Sequence, residues 1–343
     1  KPGPLIPDGG HERSGSRGGG GGSSGARAGS RRRPRSGIHD LRRAPSTPAD
    51  RDARLEADAC KRIEIAYFSQ DLMPDFSRQF FSACYKAEQL RWLHAFNAGT
   101  DNPVFGQMLE RGVRVTTSSG ANAEPVGVSA AAGMLMLARG FPAWMAAQRR
   151  HAWEPVRGER APEDLRGQTL LLLGVGEIGK ILARIAQALG MRVIGVRRSP
   201  RQPDDPVDEM HPPAALDRLL PRAQWLALTC PLTDETRGMI NAARLARLPQ
   251  GARIVNVARG EIIDEEALIS ALAGGHLGGA YLDVFQHEPL PAESPLWDLP
   301  NVVLSPHNAA ASSGNDARAT AMFLHNLGLR ARGKPMQNEV VKE

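Results

Sequence analysis

Cysteine is scarce in this sequence. Three occur among 343 residues, Cys60, Cys84 and Cys230, far apart and with no C-x-x-C pair. That spacing excludes a disulfide framework and a cysteine-built metal site, so no metal is expected and the compartment expected is the reducing cytoplasm. Also missing is any run approaching the ~20 uninterrupted apolar residues that a membrane span needs. The start of the chain shows no apolar stretch of the secretory type, and no membrane partner is expected. Net charge is missing from most of the chain as well. The formal +6 resides wholly in residues 1–50, where ten basic residues face four acidic ones, and thirty-three of each sign remain elsewhere. Basic character therefore belongs to a tail, and the folded part is not expected to bind nucleic acid.

What is present fits a large α/β chain: hydrophobic residues make up 41% and charged residues 23%, ordinary values for a globular protein long enough for two domains. Residues 1–56 are rich in Gly, Arg and Ser and poor in large apolar residues. They cannot bury enough surface to offset the entropy of ordering, and a disordered tail is expected there. Order is expected from about Ala57. Arg62–Phe68, Leu90–Phe96 and Val113–Thr117 read as strands, with a helix over Phe76–Tyr85 between the first two. From Ala121 to His151 the spacing is helical, with Val126, Ala130, Met134, Leu137 and Phe141 on one face, and Pro142 is expected to bend it. Strands at Thr169–Leu173, Arg192–Val196, Trp225–Thr229, Arg253–Val257, Gly279–Val284 and Val302–Leu304 then alternate with helices at Ile178–Leu189, Leu216–Leu220, Ala242–Arg247 and Glu265–Ala273. Continuous apolar strands alternating with helices predict a doubly wound parallel sheet. Asn315–Arg332 is expected to be a closing helix that returns to the first domain.

Directly after TLLLL stands Gly174-Val175-Gly176-Glu177-Ile178-Gly179, where a helix begins. Glycines there permit a tight turn and close approach of the backbone to a pyrophosphate, while the helix N-terminus favours its charge. The motif lies between a strand and a helix, which makes it a dinucleotide signal rather than a chance match. An NAD-preferring turn carries a carboxylate about 20 residues on. Here the second strand ends in Arg197-Arg198-Ser199, and guanidinium groups pair with phosphate. NADP is therefore expected, with NAD possible.

Three further motifs follow strands: Asn256-Val257-Ala258-Arg259-Gly260, Asp283-Val284-Phe285-Gln286-His287-Glu288-Pro289, and Ser305-Pro306-His307-Asn308. In an open α/β sheet, ligands bind beyond the carboxyl ends of the strands, so Arg259, Glu288 and His307 can converge over a nicotinamide. Carbonyl reduction by hydride needs a proton donor near neutral pH, for which imidazole is suited. A neighbouring carboxylate favours the protonated ring and fixes its tautomer. A guanidinium grips a carboxylate and stabilises developing negative charge on oxygen. His287 is set aside because adjacent strand residues point to opposite faces.

With these motifs in view, the chain from about Ala57 to Arg332 resembles the D-isomer-specific 2-hydroxyacid dehydrogenases, a family that includes glyoxylate/hydroxypyruvate reductases. The resemblance implies a Rossmann cofactor domain over 119–312 and a smaller, flavodoxin-like substrate domain over 57–118 plus 313–343. It implies Arg259, Glu288 and His307 as the catalytic set, with Arg259 on the substrate carboxylate together with the backbone of Ala98, Gly99 and Thr100. It also implies a cofactor site made of Gly174, Gly176, Glu177, Ile178, Gly179, Arg197, Arg198, Ser199, Pro231, Thr236, Ala258, Asp283 and His307. A small 2-oxo or 2-hydroxy acid is the expected substrate, and a homodimer packed through helix 122–141 and its extension is the expected assembly. The chain departs from the family before Ala57, where the family's substrate domain usually opens with a strand and a helix. Glu288 argues against the formate dehydrogenases of the superfamily, which use Gln there. Trp297 is expected either at the substrate pocket or in packing. The alternative to an enzyme is a dinucleotide-sensing, corepressor-like binding protein of the same fold.

Overall fold

A computed structural model describes residues 57–341, apart from 74, 101, 159 and 160. The disordered tail expected over 1–56 lies outside the described residues. The first elements are α1 (Ala57–Lys61), β1 (Ile65–Phe68), α2 (Ser77–Lys86), β2 (Trp92–Ala95), α3 (Pro103–Glu110) and β3 (Arg114–Thr117). The strands form a three-stranded parallel sheet in the order β1-β2-β3. Because side chains alternate across a strand, Ala66, Phe68, Leu93, Ala95 and Val115 share one face. They pack there with Phe80, Phe105 and Met108 into one core. The opposite face presents Tyr67, Trp92, His94 and Thr116. Helix α3 was not expected from the sequence. It starts where the Asn102 side chain accepts a hydrogen bond from the Val104 amide and Pro103 occupies the first turn.

Two helices follow, α4 (Ala123–Arg139) and α5 (Phe141–Arg149), bent by 73°. The bend expected at Pro142 belongs instead to Gly140, whose φ of 74° ends α4 in the left-handed region. Pro142 sits in the first turn of α5, where its missing N–H costs no helical bond. Among the described residues no single helix is long and apolar enough to cross a membrane, although the bent pair α4–α5 passes by length and composition. Much of α4 is buried in a core with β-strand residues.

The rest of the chain builds a seven-stranded sheet. Its elements are β4 (Thr169–Leu173), α6 (Glu177–Ala188), β5 (Arg192–Val196), β6 (Glu209–His211), α7 (Leu216–Leu219), β7 (Trp225–Leu228), α8 (Ala242–Leu245), β8 (Arg253–Asn256), α9 (Glu265–Ala273), β9 (Gly279–Leu282) and β10 (Val302–Leu304). All pairs are parallel, in the order β10-β9-β8-β7-β4-β5-β6. Leu171, Leu173, Leu226, Leu228 and Ile254 face one core with α7 and α9 residues. Leu170, Leu172, Trp225, Ala227 and Val255 face another with α4 and α6 residues. Burial of both faces is what made these strands read as unbroken apolar runs. The strand order reverses direction between β4 and β7, which opens a crevice at their carboxyl ends.

The closing helix α10 (Asn315–Ala331) returns to the small sheet as expected. Phe323 stacks on Tyr67 and Trp92, with ring centroids 4.7 and 5.2 Å apart. The chain then runs beside β3. Thr117 N–H donates to the Asn338 carbonyl, Val340 N–H to that of Val115, and Arg114 forms a bidentate pair with Glu339 at 2.6 Å for both bonds.

Candidate active site

The dinucleotide turn joins β4 to α6. Gly174 adopts φ +97°, and a Cβ on it would lie 2.6 Å from the Cys230 amide nitrogen, so the turn and the neighbouring end of β7 both require glycine. Around the position a Cβ would take on Gly176 there is nothing within 4 Å. Gly176 also caps α6 without a side-chain acceptor, so the first-turn N–H groups of a 12-residue helix face open space. Glu177 and Ile178 open that helix, and Gly179 lets it approach the Gly174 carbonyl closely. This cradle fits a pyrophosphate. Pro231 follows β7, and the Thr236 hydroxyl donates to its carbonyl at 2.8 Å, shaping the facing wall.

The two arginines after β5 part company. Arg197 turns inward: its Nη2 lies 2.7 Å from Asp205 Oδ2, and its Nη1 donates to Asp205 Oδ1 at 3.1 Å and to the Val175 carbonyl at 2.9 Å. Burial pushes the Asp205 carboxyl up, but the bonds from Arg197 and the Gln202 amide outweigh it and hold the group below the usual carboxylate range. Lys180 of α6 joins the cluster, 3.0 Å from Asp204 and 3.5 Å from Asp205. Arg197, expected on a phosphate, is here bonded to Asp205 and to the Val175 carbonyl of the glycine turn. Arg198 is two-thirds exposed, with Glu235 at 3.7 Å, and Ser199 beside it is exposed.

Beyond β8, the buried Asn256 organises the next turn. Its amide donates to the Arg259 carbonyl at 3.0 Å and its Oδ1 accepts from the Ala258 amide at 3.1 Å. Arg259 Nη1 donates to the carbonyl of the buried Ala258 at 2.7 Å. A Cβ on Gly260 would lie 1.9 Å from the Phe285 carbonyl carbon. The Arg259 turn and the segment leading to Glu288 therefore meet backbone against backbone.

Glu288 and His307 are in direct contact. His307 Nδ1 lies 2.6 Å from Glu288 Oε2, and Glu288 Oε1 accepts from the Phe285 amide at 3.0 Å. Half the His307 side chain is exposed and a third of Glu288. His307 has φ of 49°, in the left-handed region, a conformation that persists in a non-glycine residue only when its surroundings fix it. Asp283 does so: its carbonyl accepts from His307 N–H at 2.8 Å. Its Oδ1 accepts from Ser305 Oγ, Asn308 N–H and Ala309 N–H at 2.6, 2.8 and 2.9 Å. Asn308 contributes through its backbone. His287 is exposed and separate, as expected, but for a different reason: β9 ends at Leu282 and both His287 and Glu288 lie in the bend beyond it.

Ala98, Gly99 and Thr100 lie just beyond the carboxyl end of β2, on the smaller sheet, where the Asn97 amide donates to the Gly99 carbonyl. Trp297 is half exposed and its indole N–H donates to the Pro291 carbonyl at 2.9 Å. Sequence reasoning missed the parts played by Asn97, Asn256, Ser305 and Asp205. For Asn256 a signal existed, since an Asx side chain just before a turn commonly bonds the backbone two or three residues on. Among the described residues, no group of three or more His, Cys, Asp or Glu is placed to hold a metal.

A phosphate cradle, a hydrogen-bonded His–Glu pair and an arginine turn, set on adjoining parallel strands, define an oxidoreductase of the nicotinamide-dinucleotide class. Residues 131–309 match the family model of the D-isomer specific 2-hydroxyacid dehydrogenase, NAD binding domain. A glyoxylate reductase of Korarchaeum cryptofilum is 34% identical over 267 residues, covering 75% of this chain and 78% of the relative. The chain belongs to the D-isomer specific 2-hydroxyacid dehydrogenase family. An Aeropyrum pernix glyoxylate reductase is 36% identical over 266 residues, with 75% and 78% coverage. Among solved structures, an NADPH-dependent glyoxylate/hydroxypyruvate reductase of Sinorhizobium meliloti in complex with NADP and sulfate aligns with a TM-score of 0.69 at 28% identity, covering 86% of this chain and 88% of that one. A Xanthobacter autotrophicus member in complex with NADPH and MES aligns with a TM-score of 0.66 at 30% identity, with 82% and 85% coverage.

Proposed function

We propose that this protein reduces a small 2-oxo acid, of the glyoxylate or hydroxypyruvate kind, with NADPH. The observation that carries the reading is the 2.6 Å contact between His307 Nδ1 and Glu288 Oε2 at the carboxyl edge of a dinucleotide-binding sheet. Bound reduced cofactor supplies the hydride. The chain's own groups do the rest. Glu288 holds the Nδ1 side of the ring, which leaves Nε2 to deliver a proton to the carbonyl oxygen. Arg259 holds the substrate carboxylate and offsets charge developing on that oxygen. Backbone N–H groups of Ala98, Gly99 and Thr100 complete the carboxylate grip from a substrate domain of 57–118 plus 313–343, against a cofactor domain of 119–312. Asp283 orients the nicotinamide carboxamide, and the backbone at Ala258, Pro231 and Thr236 lines its path. Arg198, with Ser199, takes the 2′-phosphate. The relatives described above are enzymes by name, which favours turnover over dinucleotide sensing.

Two further parts of the reading concern the whole protein. Exposed Phe141, Trp144, Met145 and Trp153 gather on and after α5, and clustered exposed apolar residues mark interaction surfaces. A second copy of this chain covers it. The three cysteines form no disulfide, in keeping with a cytoplasmic site of action.

The test is loss of NADPH and NADH absorbance with glyoxylate and hydroxypyruvate, for the parent, His307→Ala and Arg198→Ala. The parent should prefer NADPH. His307→Ala should lower kcat by about 10³, and Arg198→Ala should raise the KM for NADPH at least about tenfold while leaving that for NADH within about twofold. NADPH binding without turnover of any 2-oxo acid would falsify the reductase reading.

A further inference from the structure

The mechanism leaves one buried titratable side chain unused. His94 on β2 is fully enclosed, and both of its ring nitrogens meet hydroxyls: Nδ1 lies 2.7 Å from Thr116 Oγ1 and Nε2 lies 3.0 Å from Ser118 Oγ. A neutral imidazole has one N–H and one lone pair, so one hydroxyl donates to the ring and the other accepts from it. Trp92 fixes the Thr116 end, since its indole N–H donates to the same Oγ1 at 2.8 Å. Burial pushes the His94 pKa down to about 4, against a weaker upward pull from the Ala319 backbone, so near neutral pH the ring is uncharged and serves both hydroxyls.

Two structural facts give this bridge a role beyond packing. Ser118, held by His94, turns its own backbone N–H to the carbonyls of Ala95 and Asn97 at 2.9 and 3.2 Å. Asn97 in turn bonds the Gly99 carbonyl through its side chain. The loop over residues 97–100 is therefore fastened at its base by a residue that His94 fastens. On its other side His94 meets α10. The Phe323 ring is 5.7 Å away. Helix α10 begins only a short turn after His307, and Arg318 at its start donates through Nε to the Ala121 carbonyl at 2.6 Å.

We infer that His94 is a positioning residue for the substrate: with Ser118 it sets the base of the 97–100 loop, and through α10 it registers that loop against the segment carrying His307. The inference rests on the reading that this loop grips the substrate carboxylate. Loss of the bridge leaves a hydroxyl and a loop carbonyl without their fixed geometry. It weakens carboxylate binding and leaves the chemistry at His307 and the dinucleotide cradle alone.

The experiment compares the parent, His94→Leu, His94→Gln and Ser118→Ala in NADPH-driven glyoxylate reduction, with NADPH affinity measured separately by calorimetry. Ser118→Ala removes a single oxygen and keeps the outcome readable if the His94 variants fold poorly. Expected are a KM for glyoxylate raised about tenfold in His94→Leu and Ser118→Ala, kcat within about twofold, and NADPH affinity unchanged. His94→Gln keeps a donor and an acceptor and should restore KM to within about threefold of the parent. An unmoved KM in Ser118→Ala, or a His94→Gln variant no better than His94→Leu, overturns the assignment. So does a loss in which KM, kcat and NADPH affinity all move together. A parent without turnover overturns the reductase reading first, and this inference with it.

Discussion

His94 and His307 are two imidazoles with opposite surroundings, and that contrast decides what each can do. His307 is half exposed against a carboxylate, open to exchange a proton. His94 is enclosed by the hydroxyls of Thr116 and Ser118 and by the rings of Tyr67, Trp92 and Phe323, and its pKa of about 4 lies below the 6.5 of an open histidine. A histidine whose folded pKa is depressed binds its proton more readily when unfolded. Its contribution is complete above pH about 6.5 and is lost as pH falls from there towards 4, up to about 3 kcal/mol in all. Thermal unfolding across that range should show the parent losing stability on acidification, with a flatter profile in His94→Gln; parallel profiles would sink this account. At this scale the Glu288–His307 contact was legible, because both residues belong to motifs that follow a strand. The division of labour between Arg197 and Arg198 was not. It depends on Asp205, whose buried carboxylate turns one of two equivalent guanidinium groups inward, and nothing in the local sequence singles out which.

Elements with strong periodicity were legible to the residue: β4, β5, α9 and β10 have the limits that their apolar patterns predict. Two elements were hidden for physical reasons. Helix α3 is short and carries Gly106 within it, so its propensity is low and its formation relies on the Asn102 cap and on burial of Val104, Phe105 and Met108. Strand β6 is Glu209, Met210 and His211 at the sheet edge, with no apolar run to announce it. Its stability comes partly from charge: Arg222 and His211 bond Glu209 and hold its carboxyl down at about 2. The connection between the Arg259 turn and the Glu288 bend is a further feature of elements, since it exists only after β8 and β9 pair. Gly260→Ala forces the Phe285 backbone aside, because the new Cβ would stand 1.9 Å from a carbonyl carbon. Overpacking of this kind costs about 1–3 kcal/mol, and displacement of the segments proposed to carry the chemistry should lower kcat by about a hundredfold. NADPH affinity, which the proposed function assigns to the glycine turn, should stay within about twofold. Equal kcat in the variant and the parent would show that the two segments need not touch.

For the molecule as a whole, the sequence indicated six of the seven strands of one sheet and the other sheet in outline. The central strands β4, β5, β7, β8 and β9, buried on both faces, leave a clear pattern, whereas the small sheet shares its faces between an apolar core and a polar, aromatic surface covered by α10. The return of that helix to the first domain was legible, but the stacking of Phe323 on Tyr67 and Trp92 was not, because its partners lie more than two hundred residues apart. The proposed dimer belongs to this scale. Light scattering or sedimentation should report twice the monomer mass, and Trp144→Asp combined with Trp153→Asp should shift the population to monomer without abolishing NADPH binding. A parent that is monomeric at micromolar concentration would count against the assembly.

The position of α10 and of residues 338–340 has a bearing on how the chain is made. The small sheet is completed by residues that follow the larger sheet in the chain, with Phe323 laid on Tyr67 and Trp92 and Glu339 paired to Arg114. The larger sheet has all its strands by Leu304. During synthesis the dinucleotide cradle can therefore form while the other lobe is still waiting for its lid. A nascent chain thus passes through a stage in which the larger sheet has all its strands while the small one still lacks α10 and residues 338–340 against it.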